Sequence, residues 1–183
     1  LQTFSTLVSF AAKYHHLDIA DQYLTVLLDK GMTPEQPLIR TLLTAVIRQQ
    51  HDTLLNKYLK LLRHRIEGDN VLYNMMISEA TKRSSLFVAL QIYQLFIRRH
   101  PTSDVQIFQK LISLCCKQHQ LQQALSIYND MNDIGVLPNL IILQTLLQQL
   151  SKSPLYPRSA ELAIEMLGKM KALSLPVSID TYN

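Results

Sequence analysis

Five basic residues recur at one phase of a long repeat: Lys13, Arg48, Lys82, Lys117 and Lys152 are separated by 35, 34, 35 and 35 residues. The chain holds 18 lysines and arginines among 183 residues, so five in one column is far from a chance arrangement. A regular ladder of cations suits the regular charge of a nucleic-acid backbone, and phosphate contact is the first chemistry it suggests. A second physical origin competes. Each position is one where a helix would end, and a cation there complements the helix dipole by about 0.3–1 kcal/mol. Any residue of the last turn could serve the dipole, so that need alone does not select one column.

Other chemistry is thin. His15 and His16 are adjacent, and His51, His64, His100 and His119 are scattered without ligand spacing, so neither a metal site nor a cofactor is expected. Glu161 with Glu165, Asp18 with Asp21, and Asp130 with Asp133 are carboxylate pairs, but at spacings ordinary for the solvent face of a helix. Lys57, Lys60, Arg63 and Arg65, and the run Arg98, Arg99 and His100, read as solvated ends of helices. No glycine-rich phosphate loop and no convincing Ser, His and Asp order occurs. The chain is therefore not expected to be an enzyme.

Composition narrows the class further. An apolar share of 48% suffices for a packed core, and four glycines with seven prolines favour long helices over many short strands. The net charge of +4 and pI near 9.1 favour polyanion partners only mildly. Cys115 and Cys116 are sequence neighbours, which on a helix point in different directions, so they are expected to be free thiols in a reducing compartment. The longest uncharged stretch, Ile134 to Ser151, is interrupted by Pro138, Asn139 and three glutamines, and no membrane insertion is expected. No targeting segment is visible, and both ends look cut, since Leu1 already opens a repeat and Thr181-Tyr182-Asn183 begins another.

The elements that must position the basic column emerge from self-comparison. Val105 to Asn139 gives the template: Phe108, Leu111, Ile112 and Cys115, a polar break at Gln118 to Gln120, then Leu121, Ala124, Leu125, Tyr128 and Met131. Both halves have the spacing of amphipathic helices, with Asp104 as an N-cap and Gly135 and Pro138 as stop signals. Shifted along the chain, the template places a bulky residue at Phe4, Ile39, Tyr73, Phe108, Leu143 and Tyr182. The close-approach position of the second helix holds Ala20, Leu55, Ala89, Ala124 and Ala163, with Leu27, Leu62, Phe96, Met131 and Met170 seven residues later. The repeats are 1–35, 36–69, 70–104, 105–139 and 140–178, with a sixth opening at 179–183, and together they form a single array. The second lacks a closing Gly and Pro, and the fifth carries about four extra residues near Ser153 to Pro157, which a surface loop can absorb.

This pattern resembles the pentatricopeptide repeat family over essentially the whole chain. The resemblance rests on the 35-residue period, the openings Val71-Leu72-Tyr73-Asn74 and Ile179-Asp180-Thr181-Tyr182-Asn183, and the endings Gly31-Met32-Thr33-Pro34 and Gly135-Val136-Leu137-Pro138-Asn139. A tetratricopeptide array would have Trp and Gly signals in its first helices, and this chain has no Trp. The resemblance implies an all-α, right-handed α-solenoid of about five stacked helix-turn-helix repeats, with single-stranded RNA in its groove.

It further implies that each base is read by the residue after the bulky position together with the last residue of the repeat. Those pairs are Ser5 with Glu35, Arg40 with Asp69, Asn74 with Asp104, Gln109 with Asn139, and Gln144 with Ser178, while Asn183 opens an incomplete pair. Asn74 with Asp104 matches a standard combination of the family, favouring uracil; the other four depart from it. Val71 and Ile141 suit the aliphatic wedge between bases, whereas Gln2, Pro37 and Gln106 do not. The expected function is organellar RNA processing, stability or translation, in the mitochondrion or alternatively the chloroplast, with RNA and proteins of an organellar ribonucleoprotein as partners. The alternative is a degenerate-repeat scaffold in a large assembly such as an organellar ribosome.

Overall fold

The computed structural model describes residues 2–66, 69–97, 104–153 and 158–173, and every regular element among them is helical. The helices are α1 (Gln2–Lys13), α2 (Leu17–Asp29), α3 (Gln36–Arg48), α4 (Asp52–Leu61), α5 (Arg63–Ile66), α6 (Asn70–Lys82), α7 (Leu86–Ile92), α8 (Val105–Lys117), α9 (Leu121–Asp133), α10 (Leu140–Ser151) and α11 (Ser159–Ala172). They form two compact units, Leu1–His100 and Pro101–Asn183. Within the first, α1 pairs with α2 and α3 packs on both α1 and α6; within the second, α8 pairs with α9 and α10 packs on α8 and α11.

The hairpins form because each helix has one apolar stripe that only a neighbour can cover. Ile39, Tyr73, Phe108 and Leu143 are buried in the first helices, and Ala20, Leu55, Ala89 and Ala124 in the second. Leu27, Leu62, Met131 and Met170 are buried beneath them. Ala163 is only half-buried, in the repeat with the inserted residues. The side chains of Phe4 and Phe96, and residue Tyr182, lie outside the described set.

Each tight turn inside a hairpin uses a residue with left-handed backbone, and none is glycine: His15, Gln50, Ser84, His119 and Arg158 have φ between 52° and 69°. In four hairpins the next amide closes the first helix by donating five residues back, as His16 N does to the Ala11 carbonyl at 2.9 Å and Gln120 N to that of Cys115 at 2.9 Å. The second helices α2 and α9 end differently, on Gly31 and Gly135 with φ of 68° and 77°. Here the positive φ is met by the residue that tolerates it best.

Two local features depart from the sequence expectation. Where the second repeat has Ile66 at the column of Gly31 and Gly135, the chain turns at Leu62 and runs on through α5. In the third, the second helix widens into a π-helical segment, Tyr93–Ile97. Along α1 Leu7 and Phe10 are exposed, as is Tyr14 just beyond its end, with the Phe10 and Tyr14 ring centroids 4.4 Å apart. The matching positions Leu42 and Ala45 of α3 are buried, because α3 has a neighbouring first helix on that side.

Candidate nucleic-acid interface

The basic column occupies equivalent places in all five hairpins. Lys13, Arg48, Lys82 and Lys117 are the final residues of α1, α3, α6 and α8, and Lys152 is the C-cap of α10. All five are exposed. Their surroundings differ. In the first unit, Lys13 and Arg48 line a cavity of about 450 Å³ together with His15, Arg40, Thr44 and Gln49. Arg48 in turn grips Glu79 of α6, with Nε 2.9 Å from Oε2 and Nη2 3.2 Å from Oε1, and Lys82 Nζ donates to the same Oε1 at 2.9 Å. In the second unit, neither Lys117 nor Lys152 forms an ion pair among the described residues.

Glu79 is the residue that sequence reasoning missed. Its side chain is only 8% exposed. The Arg48 hydrogen bond holds its carboxyl down at about 2, against the upward pull of burial, with Lys82 adding to the lowering. The same bond raises the Arg48 pKa. A signal for it existed: Phe10, Ala45, Leu114 and Gln149 occupy the corresponding positions, so Glu79 is the one acid in its column.

The repeat-ending residues prove to be helix starters. Asp69 accepts from Leu72 N at 2.9 Å, Asp104 from Gln106 N at 2.9 Å and Asn139 from Ile142 N at 3.0 Å, each capping the next first helix. Glu35 is also an N-cap, but its side chain makes no capping bond. Two of the expected reading pairs meet directly. Arg40 Nη2 lies 3.5 Å from Asp69 Oδ2, and Asn139 Nδ2 donates to Gln109 Oε1 at 2.7 Å.

Each remaining pair either divides between the two units or includes a residue outside the described set. Asn74 lies in the first unit and Asp104 in the second. Gln144 is half-buried on α10, while Ser178, Asn183 and the side chain of Ser5 lie outside the described residues. Val71 and Ile141, in the first turns of α6 and α10, are 63% and 50% exposed, as an aliphatic wedge requires. An exposed aliphatic in a first turn also occurs by chance.

Asp21 and Lys57 correct the sequence reading, which assigned both to solvated surface. Lys57 Nζ reaches both oxygens of Asp21 at 2.7 Å, tying α4 to α2. Burial, with Asp21 alongside, pushes the Tyr58 phenol well above its usual range. Cys115 and Cys116 are buried free thiols, raised to about 11 and 12 by desolvation. Among the described residues no cluster of His, Cys, Asp and Glu could hold a metal ion, and no helix is long and apolar enough to cross a membrane.

Residues 107–136 match the family model of the PPR repeat. No curated protein matches the chain in sequence. Among solved structures, the chain resembles the pentatricopeptide repeat protein PPR10 from maize with a TM-score of 0.66 at 19% identity, covering 98% of this chain and 25% of PPR10. It also resembles PPR10 in complex with an 18-nt psaJ RNA element, with a TM-score of 0.50 at 21% identity over 98% of this chain and 26% of that one. A third similar structure is nuclear proteinaceous RNase P 2 from A. thaliana, with a TM-score of 0.61 at 13% identity over 99% of this chain and 40% of that one. The chain thus spans a quarter to two-fifths of these proteins. A matched repeat at 107–136 thus stands among helical hairpins whose fold is similar to that of these pentatricopeptide repeat structures.

Proposed function

We propose that the chain binds single-stranded RNA along the ends of its first helices, with the basic column on the phosphates. The observation that carries this reading is the cavity beside α1 and α3, where Lys13, Arg40 and Arg48 converge with hydroxyl and amide groups. Its volume of about 450 Å³ is within the roughly 300–1,000 Å³ of ligand sites, and its three cations suit an anionic ligand. The RNA complex of PPR10, a protein of like fold, supports the same reading. In this proposal the work is done on organellar transcripts.

Titration with a single-stranded RNA across a salt series tests it. Each phosphate contact contributes a slope of about 0.7, so the column can give at most about 3.5. Lys117→Ala should lower the slope by about 0.7 whatever the base sequence, because a phosphate contact carries no base information. An unchanged slope with a lowered unfolding midpoint would leave the column as helix-end electrostatics.

A second reading, a scaffold within a large ribonucleoprotein, draws on the exposed stripe of Leu7, Phe10 and Tyr14 along and just beyond α1. Such a stripe suits a protein neighbour better than a phosphate backbone.

A further inference from the structure

We propose that Glu79 is an internal counter-anion that occupies the place of a phosphate between Arg48 and Lys82, and so weakens the grip of the column at its second and third rungs. The inference rests on the RNA reading above.

The position itself argues for this. Ala45, Leu114 and Gln149 fill the same column and are buried without charge, so packing does not call for a carboxylate. Burying one costs desolvation that only well-placed partners offset, and an apolar residue of similar size is often as stable or more so. Glu79 meets that cost with three charge-assisted bonds, all to members of the basic column. Its two oxygens accept from the Arg48 guanidinium in the two-point manner of a pair of phosphate oxygens.

The consequence is local. Arg48 and Lys82 together carry two positive charges against one negative, so the trio offers RNA the net charge of a single rung. Lys13, Lys117 and Lys152 keep their full charge. The wild-type salt slope should therefore stand near 2.8, about 0.7 for each of four effective contacts. Removing the carboxylate frees one more.

The experiment is the salt series with single-stranded RNA on wild type, Glu79→Gln, Glu79→Leu and Lys117→Ala, with an unfolding midpoint for each. Leu is included because Leu114 shows that the column accepts it. The expected result is tighter binding and a slope raised by about 0.7 in whichever Glu79 variant remains folded. Adding Arg48→Ala should then return the slope to its wild-type value. If Lys117→Ala lowers the slope while neither Glu79 variant raises it, the counter-anion role is overturned and RNA binding stands. If the wild type shows no salt-dependent RNA binding, both readings fall together.

Discussion

The Asn139 side chain is spent at both ends: its oxygen accepts from Ile142 N at 3.0 Å to start α10, and its nitrogen donates to Gln109 Oε1 at 2.7 Å. Capping fixes which end of the amide faces Gln109, and so fixes that Gln109 accepts with its oxygen. The Gln109 amide nitrogen is left as a donor outside this pair.

Asn139→Asp should keep the cap but turn the contact around, because a carboxylate can only accept and Gln109 must then donate to it. Stability should change little while base preference in single-nucleotide substitution series moves. Asn139→Ala should instead cost about 1 kcal/mol through the lost cap. Chemical denaturation separates the two.

Glu79 gives a pH signature. Its folded pKa, about 2, lies below the ordinary carboxylate value of 4.5, so its stabilisation is complete above pH 4.5 and is lost as pH falls toward 2. The difference is on the order of 3 kcal/mol. Unfolding midpoints from pH 6 to pH 2 should fall less steeply for Glu79→Gln than for wild type, and parallel curves would contradict this.

The left-handed turns invite glycine. Gln50 is exposed with φ of 54°, and Gln50→Gly should raise stability by roughly 1 kcal/mol by relieving the side-chain clash of that conformation. Gly31→Ala, at φ of 68°, should lose about as much, although open space surrounds the added methyl. Thermal melts of the two variants should shift in opposite directions.

Ala124 is wholly buried in α9. Ala124→Gln should cost roughly 1–3 kcal/mol through overpacking and an unpaired amide. An unaltered denaturation midpoint would contradict the close approach of helices at this column.

Much of the hairpin frame was legible in the sequence because packing repeats strictly. A column such as Ile39, Tyr73, Phe108 and Leu143 needs no coordinates to be read as core. The turns were legible only as polar breaks, since no residue type marks them: His15, Gln50, Ser84, His119 and Arg158 share a backbone shape and nothing else. Pairing across hairpins was the least legible. Lys57 with Asp21 and Arg48 with Glu79 are 36 and 31 residues apart, and each partner alone looks like an ordinary surface charge. The buried acid stood out in its column, yet only the fold showed which cations it holds.

The double duty of the repeat-ending residue has an evolutionary consequence. Whatever position 69, 104 or 139 does for a ligand, it must also begin the next helix, and only short acceptors such as Asp, Asn, Ser and Thr do that well. The alphabet open to selection there is thus set by backbone amides two or three residues downstream. Asp69, Asp104 and Asn139 stay inside that alphabet, while Glu35, one methylene longer, makes no capping bond. Drift in specificity at these sites is confined to a handful of letters before any ligand has a say.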